Sequence, residues 1–296
     1  MGIRHALRQA GKTTVTRHTL ASRHISRPFA ICANFPECAT LLPGYLCLRL
    51  NKLCSRKVVE RVTSYSLTKT AELTMHFPSL FQFLTGLHEN NNRPWFLHNK
   101  PHFDILNEEF PELVAEVGER VRKFDPALPS FEPKKAVFRI YRDVRFAKDK
   151  SPYKTHFGAV IGERNMSDKL RPVNYFQIDH NAHLLISSGI YCPPPEILKI
   201  IRDDIVAHPA ALTRALTNAS FKKTFGDLSV EDRMSRVPKG YEKDHPLAPY
   251  LMNRHYFCEA TMDLSKQSTK GLARKIADTF EAAMPVMTWL RGIKGG

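Results

Sequence analysis

Apolar residues recur at helical spacing from residue 77 onward. Leu80, Phe81, Leu84 and Leu87, with His88 in the same stripe, predict a helix that stops at the run Asn90–Asn92 and Pro94. After a short "RPWF" segment, Phe103, Leu106, Phe110, Leu113, Val114, Val117 and Val121 predict a longer amphipathic helix, kinked or restarted at Pro111. Its other face carries Asp104, Glu108, Glu109, Glu112, Glu116 and Glu119. Such a stripe is either a solvated face or a source of carboxylate partners for the basic residues that follow.

The period then changes to two. Val137, Arg139, Tyr141, Asp143 and Arg145 alternate with Phe138, Ile140, Arg142, Val144 and Phe146, which predicts a strand whose apolar face is interrupted by Arg142. "AKDKSPYK" has turn chemistry, "THFGAVIG" resumes a strand pattern, and "VNYFQIDH" and "HLLISSGIY" flank a turn at Asn181 and Ala182. Beyond Pro193, Ile197, Leu198, Ile201, Ile205 and Val206 restore helical spacing behind prolines suited to a first turn. Shorter helical pieces follow near residues 210–216 and 221–225, then a loop rich in Pro and charge, a last strand in "RHYFCEATMD" and a closing helix in "TKGLARKIADTFEAAMPVMTWL". Helices cluster before and after a run of strands. The expected fold class is therefore α+β, an antiparallel sheet built from hairpins and packed against N-terminal and C-terminal helices.

Charge divides the chain. The 296 residues carry a net charge of +15, yet residues 1–74 hold 12 Lys/Arg against 3 Asp/Glu, which leaves the remainder at +6. Attraction to polyanions follows local clusters of cations, so the body gives little support to nucleic-acid binding. Residues 1–74 have no acidic residue before Glu37 and are rich in Arg, Ser and Thr. They read as a basic extension that is disordered, transit-like or translated from a mis-assigned start, with Met75 opening a single domain over residues 75–296. No apolar run reaches the ~18 residues of a membrane helix. Cys32, Cys38, Cys47 and Cys54 match neither paired zinc spacings nor a compact disulfide framework, and only Cys192 and Cys258 lie in the body. Two lone thiols fit a reducing compartment, so the expected location is cytoplasmic, or an organelle if the extension is a genuine transit segment.

The chemistry concentrates in "FRIYRDVRFAKDKSPYKTH", residues 138–156, with six Lys/Arg, two Asp and four aromatic rings. Arg139, Arg142 and Arg145 with Lys148, Lys150 and Lys154 can offer several donors to a phosphate or carboxylate, and guanidinium forks make bidentate contacts. Tyr141 and Tyr153 are placed to orient a ligand. The competing account pairs the same groups internally: Arg142 with a helix carboxylate such as Glu108 or Glu112, and Asp143 and Asp149 with neighbouring cations or loop N–H groups. Asp143, Tyr153 and His156 are the acid/base candidates should the protein be an enzyme. Asp179, His180 and His183 suit a hairpin tip better than a metal site, and no Gly-rich dinucleotide loop, G-x-S-x-G or H-E-x-x-H occurs. No metal and no cofactor is expected.

"NNNRPWF", "FRIYRDVRFAKDKSPYKTHFGA", "GIYCPPPEILKIIRDDI" and "RVPKGYEKDHP" follow one another in an order that resembles a widespread uncharacterised family, domain of unknown function 2461. The likeness spans nearly all of residues 77–292 and leaves the basic extension uncovered. It carries no activity over to this chain. Two functions stay open from the residues: a small-molecule enzyme or binding protein whose basic pocket holds a phosphorylated or carboxylated ligand, or a non-catalytic module in which the polar motif is an internal ion-pair network or docking surface. The expected partner is a small anion in the first case, and the oligomeric state is not legible.

Overall fold

Among the described residues the sheet is a meander of four strands, β1 (His156–Ile161), β2 (Val173–Asp179), β3 (His183–Ile190) and β4 (Tyr256–Asp263), each antiparallel to the next. The structure is a computed structural model that describes residues 75–162, 170–266 and 268–293, all within one compact unit. The expectations for residues 1–74 lie outside the described residues. Helices α1 (Phe77–Glu89), α2 (Arg93–His98), α3 (Lys100–Val121) and α4 (Pro133–Ala136) precede the sheet. Between β3 and β4 come α5 (Pro195–Ala207), α6 (Pro209–Thr217), α7 (Ala219–Phe225) and α8 (Ala248–Leu251), and α9 (Leu272–Ala282) and α10 (Met284–Gly292) follow β4. The fold is α+β, with helices on both sides of the sheet in sequence.

Register explains how one sheet face serves two cores. Phe176 pairs with Ala159 on one side and Ile186 on the other, and Ile186 pairs with Ala260, so apolar side chains stand in rows across the strands. At one end of this face Phe157, Phe176, Ile178, Leu184 and Ile186 pack with Leu80, Leu84 and Leu87 of α1, with α3, and with Ile276 and Phe280 of α9. At the other end Ile190, Tyr256 and Cys258 pack with Ile201 and Ile205 of α5, Leu212 of α6, Phe221 of α7 and Val286 and Leu290 of α10. Fully burying one such Leu or Ile contributes about 1.5–3 kcal/mol. The opposite face holds a smaller cluster of Phe138, Val160, Tyr175 and Phe257.

The hairpin turn between β2 and β3 follows from Asp179. Its Oδ1 accepts from the N–H groups of Asn181 and His183, both at 2.9 Å, and Ala182 takes φ +57. Gly189 shows what β3 demands of its sequence: at φ +136, an added Cβ would lie 2.2 Å from the Tyr256 carbonyl oxygen of β4.

Four elements differ from the sequence pattern. "RPWF" lies in a short helix, started by Asn92, whose side chain accepts from the Trp95 N–H at 3.0 Å. α3 runs through Pro111 as one helix, with Pro111 buried against the core. The closing helix is two helices that part at Ala283, because Pro285 in the first turn of α10 has no N–H to continue α9. Residues 137–146 form no strand. Val137 and Tyr141 make only isolated bridges, to Ala159 and Tyr153. The chain leaves the edge of β1 after Phe138 N–H donates to Gly158, and the segment 152–154 meets it next, with Arg142 N–H donating to Pro152 and Lys154 N–H to Ile140. Pro152 has no N–H to return, so a continuous ladder fails. Beyond Arg142 the alternation ends with it: Phe146 is 86% exposed.

Candidate functional site

Most cations of the motif are held by the motif itself. Arg142 turns inward, its side chain 12% exposed, and its Nη1 donates to Asp149 Oδ2. The carboxylate beside it is thus seven residues along the same loop, where the sequence had pointed to α3. Asp149 Oδ1 also accepts from the Ser151 hydroxyl at 2.6 Å and the Ser151 N–H at 2.9 Å. These Ser151 donors first, and the Arg142 guanidinium after them, hold the Asp149 carboxyl well below the usual carboxylate range. Arg145 forms a bidentate pair with Asp143 at 2.9 and 2.7 Å, and this hydrogen bonding lowers the Asp143 pKa to about 2.

Lys154 is buried, which its sequence position in a loop does not suggest. Its Nζ donates to the Arg139 carbonyl at 2.9 Å and lies 5.3 Å from the centre of the Phe138 ring. Lys150 Nζ donates to the Val144 carbonyl at 3.0 Å, and Lys148 is exposed. Tyr153 is 4% exposed and stacks on Phe96 at 4.1 Å, and burial raises its phenol pKa. Asn91 clamps its backbone from both sides, accepting from the Tyr153 N–H and donating to its carbonyl, each at 3.0 Å. Tyr141 is half exposed beside it, at 5.4 Å between ring centres. His156 opens β1 opposite Asp179. Of the acid/base candidates, Asp143 is taken up by Arg145 and Tyr153 by aromatic packing.

Arg139 stands apart. With Lys134 it lines a cleft of about 920 Å³ whose other wall is Asn107, Glu108 and Pro111 of α3, with Phe131 and Phe138 as apolar surface. Both cations are exposed, and neither side chain makes a hydrogen bond or ion pair to a described residue; Arg139 acts on Asp143 only through space. Their neighbour Lys135 is paired with Glu132 at 2.6 Å. Among the described residues, Arg139 is the one member of the predicted set that reaches this cleft. Sequence reading missed Lys134, Asn107 and Phe131, although "FEPKKAVFR" places Lys134 five residues before Arg139.

The hairpin tip is structural. Asp179 is spent on its turn, His183 Nδ1 lies 3.7 Å from it, and His180 stacks on His88 of α1 with ring centres 3.8 Å apart. Burial, and then the facing His88, lower the His180 pKa. No group of three or more metal-ligating side chains comes together among the described residues, and no described helix is long and apolar enough to cross a membrane.

A family model described as a conserved hypothetical protein, DUF2461, matches residues 79–289. Searches of curated proteins and of solved structures find no match to the chain. The matched region takes in most of both cores, the whole sheet, the polar motif and the cleft.

Proposed function

The chain belongs to the DUF2461 family, and from that premise we propose that it binds a small phosphorylated or carboxylated ligand in the cleft between α3 and residues 130–139. One observation carries this reading: Arg139 and Lys134 face a cleft of about 920 Å³ without a carboxylate of their own, while neighbouring cations are matched. An anionic group offers both of them an acceptor, and Phe131, Phe138 and Pro111 suit an apolar body attached to it. Glu108 on the opposite wall sets the polarity of the ligand, since a second anionic group near it is repelled.

The rest of the motif then serves the cleft at one remove. Lys154 holds the Arg139 carbonyl, and the pairs Arg142–Asp149 and Arg145–Asp143 give the loop its shape. A second reading, a non-catalytic module in which these pairs are the whole purpose of the motif, draws on the same contacts. A thermal-shift screen of phosphorylated and carboxylated metabolites on the parent and on Arg139→Ala with Lys134→Ala separates the two. A ligand at 100 times its Kd stabilises by about 2.7 kcal/mol, and the expected result is a hit that the double variant loses. Hits that stabilise both proteins alike, or none at all, leave only the second reading.

A further inference from the structure

Helix α5 buries a guanidinium that no carboxylate of the described residues accompanies. Arg202 is 8% exposed, and its Nη2 donates to the Asn253 carbonyl at 3.0 Å and to the Met234 sulfur at 3.4 Å. The Tyr256 phenol lies beside it and donates its own hydrogen bond to the Tyr250 carbonyl at 2.9 Å. All three are neutral. The following residue, Asp203, is spent on Lys199 at 2.6 Å and on the Tyr241 hydroxyl at 2.7 Å, and Asp232 lies 3.8 Å from both Arg254 and His255. Among the described residues no carboxylate forms an ion pair with Arg202 or with its neighbour Arg233.

Two buried donors at this point have nothing to donate to. Among the described residues Arg202 Nε and Asn253 Nδ2 lack a hydrogen-bond acceptor, and Asn253 is 1% exposed. The orientation of the Asn253 amide follows from chemistry: Arg233 Nε approaches Oδ1 at 2.8 Å, and a guanidinium can only donate, so the atom it meets is the oxygen. What is missing is therefore an acceptor. Two guanidiniums nearby make a negative acceptor better than water, which would satisfy a donor and leave the buried charge uncompensated.

We propose that Arg202, Arg233 and Asn253 form an oxyanion site that takes one phosphate or carboxylate group, separate from the cleft at Arg139. Arg202 Nε and Asn253 Nδ2 donate to its oxygens, and Arg233 adds charge from the more exposed side. Residues 226–247, which carry neither helix nor strand, cover the site and supply Arg233 and Met234. Irregular segments of that length in a packed domain are commonly functional. This one is pinned to the sheet by Ser229 N–H donating to Phe257 at 2.8 Å and to the chain beside Asn253 by Met234 N–H donating to Met252 at 2.9 Å. Opening the stretch between those points admits an anion.

The full chain, and its Arg139→Ala with Lys134→Ala form in which the cleft is silenced, are titrated with inorganic phosphate and, in a parallel arm, acetate, at constant ionic strength against chloride. Melting temperature and the 15N–1H signal of Arg202 Nε–H, assigned by its loss in Arg202→Lys, are followed together. The expected result is a saturable stabilisation that survives in the cleft variant, moves the Arg202 signal with the same midpoint, and weakens at least tenfold in Arg233→Gln. A response to phosphate alone identifies a phosphoryl group, and a response to both identifies the shared oxyanion chemistry. The proposal is overturned if neither anion exceeds chloride, if the effect vanishes in the cleft variant, or if Arg233→Gln leaves the midpoint unchanged. Should Arg233→Gln fail to fold, a still Arg202 signal in the parent at saturating phosphate overturns it equally.

Discussion

Residues 138–154 and the surroundings of Arg202 treat positive charge in opposite ways. In the first region Arg142 has Asp149, Arg145 has Asp143, and Lys154 has a carbonyl and an aromatic face. In the second a more deeply buried arginine has only neutral partners. The region that looks most like a binding site in sequence has thus used up most of its charge. The region that looks like an ordinary helix has charge and donors to spare. Density of charged residues along a chain measures opportunity for pairing as much as opportunity for binding.

A fully matched buried pair elsewhere gives the comparison its scale. Arg291 of α10 makes a bidentate contact with Asp125 at 2.8 and 2.7 Å, and Asp125 is fully buried. Arg291→Met leaves the buried Asp125 carboxylate without its partner and is expected to cost about 3–5 kcal/mol in urea unfolding. Arg202→Met in anion-free buffer removes a buried cation that has no charged partner to strand, and leaves only the Asn253 carbonyl without its donor. It should cost less than about 1 kcal/mol or stabilise the protein. Equal losses for the two variants would break the contrast.

Arg142→Met comes next in size. The methionine keeps the apolar stem, and Asp149 is 63% exposed and recovers water, so the loss is expected near 1 kcal/mol. A loss as large as that of Arg291→Met would mean that the loop depends on this pair for its fold.

Acid sharpens the same point. The Asp143 and Asp149 carboxyls are held below their ordinary value of 3.8, so the folded protein stays ionised where the unfolded chain takes up protons. The stability they contribute is complete above that value and is lost as pH falls from about 4 toward 2. Asp149→Asn should flatten the dependence of melting temperature on pH in that window and leave it unchanged at neutral pH. A slope equal to the parent's would show that other carboxyls carry it.

The smallest effect belongs to His180. Its pKa lies below the ordinary 6.5, so the unfolded chain binds the proton first and stability declines as pH drops below that value. His180→Phe keeps a ring against His88 and should reduce the decline between pH 7 and pH 5.5. An unchanged pH profile would exclude the stacked pair as its source.

The α1 stripe, the β1–β3 hairpins and the Ile201 and Ile205 row of α5 were legible because apolar spacing specifies which side of an element is buried, although Val206, read into the same α5 face, is exposed. Leu80, Leu84 and Leu87 are all fully buried as that spacing requires. The antiparallel pairing followed from short connections, and the inward turn of Arg142 from its place in an apolar row. The failure at residues 137–146 has a local cause that the pattern hides: alternation predicts a strand only when every second backbone group finds a partner, and Pro152 withholds one.

What only the tertiary structure decided is which charges meet. Arg139 and Lys134 share a cleft because α4 turns the chain across α3, and Lys154 is buried because its loop folds back under Phe138. Arg202 joins Arg233 and Asn253 across 31 and 51 residues because α5 packs on the end of β4. Periodicity is a property of neighbours in the chain, and it determines the faces of helices and strands. Electrostatic pairing falls off with distance in space, so the matched and unmatched charges appear only once those faces have packed.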